Sequence, residues 1–314
     1  MKLTHTIAQR VLSVIGCANG NAGRHLGCEK AAEVLRKSKY LNDISFPVKW
    51  EAMIKETVTG RHHAALQGVI KTCTDLSSAT RKSIETNDET IVLGGDHSCA
   101  IGTWSGVSAA MKAKGDIGLI WVDAHMDSHT PDSTPSGNIH GMPVAHILGF
   151  GNNNLASIEG FKTKIKPENL CLVGIRSYEP PEEELLKSLG VRVFLMDEVK
   201  KRGIEDVMQE AYDLVNKNTI GFGMSIDIDG FDTLFAPAVG TPEDDGINAK
   251  EFMKCLQKLD LSRLIATEIV EFLPERDDHV NTSEKLVGTL MDVIYSTKAF
   301  QTQVNRKIFG QWAK

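Results

Sequence analysis

Short apolar runs rich in β-branched residues alternate along the chain with longer stretches whose apolar positions recur at helical spacing. The runs Val11–Gly16, Thr90–Gly94, Ile117–Val122, Leu170–Ile175, Val191–Met196, Ile220–Ile226 and Leu264–Val270 predict strands. Most are apolar at consecutive positions, the pattern of strands covered on both faces. Helices are predicted over about Cys28–Lys37, Arg61–Glu85, Ser98–Lys112, Ile139–Leu148, Pro181–Leu189, Ile204–Asn216, Ala249–Leu259 and Ser283–Ala299. Pro181 suits a first helical turn, Gly190 a helix end, and Asn248 an N-cap. Such alternation means parallel strands joined by helical crossovers. No repeat or low-complexity linker interrupts it, and the polar cluster Gly149–Asn154 reads as a loop. Residues 1–314 therefore read as a single α/β domain.

In an open parallel sheet, ligands bind beyond the carboxyl ends of the strands. Three of those ends carry unusual chemistry. Thr90–Gly94 runs into GGDHS (Gly94 to Ser98), and Ile117–Val122 into DAHMD, with Asp123, His125 and Asp127. The strand ending at Ile226 runs into DIDGFD, with Asp227, Asp229 and Asp232. In extended backbone, positions i, i+2 and i+4 share a side. That would put Asp123, His125 and Asp127 on one face, and Asp227 with Asp229 on another. Any one of these motifs alone is ordinary turn chemistry. Together with His97 they offer four carboxylates and two imidazoles at neighbouring strand ends. Without cations, that many close carboxylates would repel one another. A mostly oxygen donor set with one imidazole per ion and no thiolate suits Mn²⁺ better than zinc. Two such ions can share a water and lower its pKa.

A polar loop, Ser128 to Gly141, follows the DAHMD segment and carries His129, Ser133, Thr134, Ser136 and His140. Side chains of this kind beside a metal cluster read as substrate binders. Glu271, closing the last strand, would face the same mouth and suits a cationic substrate.

Composition narrows the partners. Lysine plus arginine is 35 and aspartate plus glutamate 41, a formal net charge of −6. This argues against a general nucleic-acid binder, and no basic run suits a membrane surface. The longest apolar stretch falls far short of the roughly 20 residues of a membrane helix. The N-terminus, MKLTHTIAQR, lacks the apolar segment of a signal peptide. Six cysteines without a CxxC pair read as packed free thiols in a reducing, cytoplasmic compartment. Cys99 reads as packed rather than nucleophilic, Trp104 and Trp121 as core, and His62 and His63 as residues of a solvated helix face. No strand-to-helix glycine motif for a nucleotide appears.

In order, GGDHS, DAHMD, SGNIHG and SIDIDGFD…GTP resemble the signatures of the arginase and agmatinase family, the ureohydrolases. The resemblance covers nearly the whole chain, and the stretch Asp123–Gly141 and the segment IVEFLPERDD are similar to arginase in particular. It implies a single three-layer α/β domain, mostly an eight-stranded parallel sheet with helices on both faces. An eighth strand is then to be sought near Ser45–Lys49. It also implies two Mn²⁺ ions, one held by His97, Asp123, Asp127 and Asp227, the other by Asp123, His125, Asp227 and Asp229. Hydroxide bridging them would attack the guanidinium carbon of L-arginine, giving L-ornithine and urea. Glu271 would hold the guanidinium, Asp127 orient the hydroxide, and His140 shuttle protons. His129, Thr134 and Ser136 would meet the α-carboxylate, with Asn138 at a further polar position of the substrate-binding loop; Glu179 would meet the α-amine, and Glu182 matches the family's later glutamate. Two positions depart from the pattern. His129 stands where the family has asparagine, and Glu179, in GIRSYEPPE, where it has aspartate. These departures keep agmatine, guanidinobutyrate and formiminoglutamate open as substrates. A non-catalytic relative is disfavoured by the complete ligand set. The resemblance further implies a homo-oligomer, a trimer or hexamer, and the tail QTQVNRKIFGQWAK offers basic and aromatic residues to a neighbour.

Overall fold

The computed structural model describes residues 11–86 and 89–312, with side chains as far as Val304. The decapeptide read against a signal peptide, and much of the tail offered to a neighbour, lie outside that description. Eight strands form one sheet: β1 (Leu12–Ala18), β2 (Val48–Lys55), β3 (Glu89–Leu93), β4 (Gly118–Val122), β5 (Leu170–Ile175), β6 (Arg192–Leu195), β7 (Phe222–Asp227) and β8 (Leu264–Val270). The order is β2-β1-β3-β8-β7-β4-β5-β6, and every pairing is parallel.

Both faces of the sheet are buried, and the period-two rule shows how. On one face Leu12, Val14, Ile91, Leu93, Ile120, Val122, Cys171, Val173, Met224 and Ile226 share a core with helices Ala31–Lys37, Ile204–Asn216, Ala249–Leu256 and Thr282–Trp312. On the other, Leu119, Trp121, Leu170 and Leu172 pack with Trp104 and Val107 of Ala100–Met111 and with Leu186 of Pro180–Leu189. Ile15, Cys17 and Val92 meet Leu76 of Leu66–Thr86 on that second face. Three layers result, as the strand pattern implied.

All seven predicted strands are present. The eighth runs over Val48–Lys55, mostly beyond the stretch near Ser45–Lys49. It is one of the two edge strands, and its half-buried pattern with Lys49, Glu51 and Lys55 hides it among polar residues. The expected helix ends hold. Gly190 closes Pro180–Leu189 at φ 74°, and Asn248 Oδ1 accepts from the Lys250 and Glu251 amides. The stretch Ile139–Leu148 is broken into Ile139–Gly141 and Pro143–Ile147, with Pro143 opening the second piece. A helix at Met196–Arg202 went unpredicted. All six cysteines are free and buried, and no helix among the described residues is long and apolar enough to cross a membrane.

Candidate active site

The adjacent strands β3, β8, β7, β4 and β5 deliver the expected residues to one end of the sheet. His97 follows β3, Asp123 to Asp127 follow β4, and Asp227 ends β7. Glu271 follows β8, and Glu179 and Glu182 follow β5. The GGDHS turn is clamped from the end of β1. Asn19 Nδ2 donates to Asp96 O and Asp96 Oδ1, both at 2.9 Å, and Asn19 Oδ1 accepts from the Gly95 amide at 3.1 Å. A Cβ on Gly95 would lie 1.8 Å from Asn19 O, so only glycine fits.

His97 is fully buried, and its Nδ1 has no hydrogen-bond partner. Around that orphaned atom, Oδ2 of Asp123, of Asp127 and of Asp227 each lie at 3.2 Å. His125 Nδ1 lies 3.1 Å from Asp229 Oδ2 and 3.5 Å from Asp123 Oδ1. Asp123 thus turns one oxygen to each histidine. Asp227 gives Oδ2 to the His97 side, while its Oδ1 accepts from the Asp229 amide at 2.8 Å. Two clusters of nitrogen and oxygen donors, sharing Asp123, are what a pair of divalent cations needs.

The electrostatics agree. Burial pushes the Asp227 carboxyl well above its ordinary range, and its neighbours Asp229 and Asp123 push it further. Burial and Asp123 raise Asp127 to about 6. Burial opposes protonation of His97, yet the three aspartates raise it well above its usual value. His125 is raised in the same way, by Asp229 and Asp123 against burial. Protons here do the work that cations would do better: they relieve repulsion among buried carboxylates.

The extended-backbone reading needs correction at two places. Asp227 caps a 3-10 turn, Ile228–Gly230, so Asp229 is delivered by a turn and not by strand alternation. Asp127 sits at φ 49°, off the extended path. Asp227 turns its Oδ1 to the Asp229 amide instead of continuing the strand.

Three supporting residues escaped notice. Trp121, read as core, is fully buried but also stacks on the His97 ring at 4.1 Å between centroids. Its Nε1 donates to Asp123 Oδ2 at 2.9 Å. Ser225 Oγ lies 3.0 Å from His97 Nε2 and donates to Glu268 Oε2 at 2.8 Å. Trp121 and Ser225 each stand two residues before an aspartate, on the same side of their strands, so the spacing held a usable signal. Glu268 was marked only by being a charge inside an apolar run.

Above the aspartates opens a cavity of about 610 Å³. His129, Thr134, Ser136, Asn138, His140, Glu179 and Glu182 all line it. His140 Nδ1 donates to Glu271 Oε1 at 2.9 Å, and the same oxygen accepts from the His97 amide at 2.8 Å. Burial opposes the charge on His140, but Glu271 and then Asp127 raise it to about 9. Burial opposes the charge on Glu271 too, and His140 holds it below the usual range. Glu271 is only 3% exposed and stands behind the cavity wall instead of facing the open mouth. Gly240 is that wall, and a Cβ there would lie 3.5 Å from Glu271 Oε2.

The loop residues are bound among themselves. His129 Nε2 donates to Glu179 Oε2 at 2.9 Å, and its Nδ1 lies 3.0 Å from Ser133 Oγ. Thr134 Oγ1 accepts from the Gly137 amide, and Ser136 Oγ from the Asn138 amide. Asn138 Oδ1 pairs with His62 Nδ1, so His62 is half-buried and engaged, contrary to its reading as a solvated residue. His63, which is exposed, keeps that reading.

The Arginase family description matches residues 11–295. An arginase of Brevibacillus brevis is 39% identical over 76% of this chain and 78% of its own. An arginase of Staphylococcus aureus (strain COL) is 31% identical over 89% of this chain and 96% of its own. The solved arginase of Bacillus caldovelox superposes with a TM-score of 0.84 at 30% identity, covering 91% of this chain and 98% of that one. The match spans most of the sequence and the fold alike, and the chain belongs to the arginase family.

Proposed function

We propose that the protein is a manganese-dependent hydrolase that cleaves the guanidino group of L-arginine to L-ornithine and urea. One observation carries this reading above the others. The unpartnered His97 Nδ1 faces three aspartate oxygens beneath a cavity lined by His140, whose partner Glu271 lies just behind the wall. His97, Asp123, Asp127 and Asp227 would hold one ion, and Asp123, His125, Asp227 and Asp229 the other. When bound, the pair supplies Lewis acidity that makes water a nucleophile near neutral pH.

The chain's own residues would do the rest. Glu271 Oε2, reached past Gly240, fixes the planar guanidinium by charge-assisted hydrogen bonds. Asp127 accepts a hydrogen bond from the attacking water and so orients it. His140, held protonated beside Glu271, gives its proton to the departing amine. The cavity wall around His129, Thr134, Ser136, Asn138, Glu179 and Glu182 receives the amino-acid end.

The test is urea release from L-arginine with and without added Mn²⁺, next to direct metal counting. Asp123 faces both histidines, so Asp123→Asn weakens both ions, whereas His97→Asn and His125→Asn each remove one. Absence of urea from every guanidino compound at full metal loading refutes the proposal.

A further inference from the structure

We infer that Glu243, on the loop after β7, is a positioning residue for the metal centre. Its carboxylate accepts the Nε2 hydrogen of His125 and so holds that ring for the His125-side ion. This inference rests on the two-ion reading above and adds a residue to it.

His125 turns its two ring nitrogens to different partners. Nδ1 lies 3.1 Å from Asp229 Oδ2 and 3.5 Å from Asp123 Oδ1. For Nδ1 to serve an ion, the hydrogen must sit on Nε2, and that hydrogen needs an acceptor to fix the tautomer and the ring plane. His97 has such a partner in Ser225, 3.0 Å from its Nε2. On the cavity side of His125 the group in reach is Glu243, whose Oε1 lies 3.9 Å from Nε2. That gap is about 1 Å longer than a charge-assisted hydrogen bond.

The backbone beneath Glu243 is fixed, so closing the gap takes only rotation of one side chain. Arg176 does the fixing. Its guanidinium donates to Asp229 O at 2.8 Å and Gly230 O at 3.2 Å, in the turn that delivers Asp229. It also donates to Glu243 O at 2.8 Å and Asp244 O at 3.0 Å, in the loop that delivers Glu243. The Arg176 amide donates to Ala124 O at 2.8 Å, between Asp123 and His125. One residue thus ties the three segments that meet at the His125 ring. A Cβ on Gly246 would lie 2.5 Å from Phe231 C and 2.7 Å from Arg176 Nη2, so only glycine lets the loop close this tightly. Nearer the start of the loop, Thr241 Oγ1 donates to Asp229 Oδ2 at 3.2 Å. The neighbouring Asp245 is different: its side chain is 84% exposed and lies 3.4 Å from Lys200 Nζ. It carries the same charge on the same loop without reaching the ring.

The test measures Mn²⁺ affinity by competition with a chelating dye, with electron paramagnetic resonance separating single bound ions from pairs. Glu243→Ala should weaken the His125-side ion about tenfold, the low end for such partners because the carboxylate is partly exposed. Glu243→Gln keeps an oxygen acceptor and should return the affinity to within about threefold of wild type. Asp245→Asn should leave both ions within about threefold. In a His97→Asn background, Glu243→Ala should still cost about tenfold, and in a His125→Asn background less than about twofold. An unchanged affinity in Glu243→Ala, equal weakening of both ions, or a Gln variant as weak as the Ala variant overturns the positioning role. Two tightly bound ions indifferent to Glu243 sink this inference alone. A wild type that binds fewer than two ions sinks it together with the two-ion reading, and absence of urea release leaves it to be decided by the affinities.

Discussion

Ser225→Ala is the sharpest perturbation of the proposed metal centre, because it touches no ligand. Ser225 is fully buried in β7 and stands between His97 and Glu268. For Nδ1 of His97 to face a cation, its Nε2 must carry the hydrogen and donate to Ser225 Oγ. Ser225 then donates to Glu268 Oε2, which also accepts from Trp104 Nε1 at 3.2 Å, while Oε1 accepts from Thr103 Oγ1 at 2.5 Å. The relay fixes both the tautomer and the ring plane. Alanine leaves the buried Nε2–H without an acceptor, at a cost of about 1–3 kcal/mol. It removes one of the donors that neutralise a carboxylate whose pKa burial already raises. Loss of such a partner weakens metal binding by roughly 10–100-fold. The effect should fall mainly on the His97-side ion, with the His125-side ion changed less than about threefold, because His125 and Asp229 lie outside the relay. Competition with a chelating dye, supported by electron paramagnetic resonance of bound Mn²⁺, resolves the two affinities. Equal affinities in wild type and variant would refute the relay. Equal weakening of both ions would show a general loosening of the site instead.

Two further expectations concern the protein stripped of metal. His140 is raised from 6.5 to about 9, so its stabilising charge is complete below pH 6.5 and is lost as pH rises through 9. In chelator, the unfolding free energy of wild type, read from urea melts, should fall across that window by more than that of His140→Asn, the difference being on the order of 3 kcal/mol; a steeper fall in the variant contradicts the assignment. At the other end of the sheet, Lys298 and Glu89 form a buried ion pair, and Lys298 Nζ also donates to Leu264 O at 2.6 Å. Lys298→Met should cost about 3–5 kcal/mol in urea unfolding, with most of it recovered in Lys298→Met/Glu89→Leu; a single-variant loss under about 1 kcal/mol argues against the pair.

What could be read from the chain followed the range of the interactions involved. Strands buried on both faces announce themselves by consecutive apolar residues, so β1, β3, β4, β5 and β7 were legible. β2, an edge strand with charges at alternate positions, was not. The aspartates and histidines were legible as chemistry because they stand at strand ends, where a parallel sheet puts its ligands. Their delivery was less legible. Alternation correctly suggested that residues two apart cooperate, yet a 3-10 turn carries Asp229 and a left-handed residue carries Asp127. Partners that meet across the fold left no local trace. Nothing in the sequence couples Arg276 to the Val239 and Gly240 carbonyls, His62 to Asn138, or Asn19 to the GGDHS turn. Only the crossover topology brings them together.

The two left-handed residues at the site have a common cause. Asp127 (φ 49°) and Glu271 (φ 63°) adopt a backbone region that costs a non-glycine residue about 1–2 kcal/mol. Glycine would relieve the strain at either position but would remove the carboxylate. Each is held from outside: Asp127 O accepts the Val144 amide at 2.9 Å, and the Glu271 amide donates to Gly95 O at 2.8 Å. The left-handed turn folds each side chain back over the strand ends, so that Asp127 reaches His97 Nδ1 while Glu271 reaches the His97 amide and His140. Strain and like-charge crowding thus accumulate at the same few residues. A bound cation pair would relieve the crowding and leave the strain as the standing cost of geometry. Folding and metal binding should therefore be strongly coupled in this protein, with the loops after β4 and β8 the first to loosen when the metal is withdrawn.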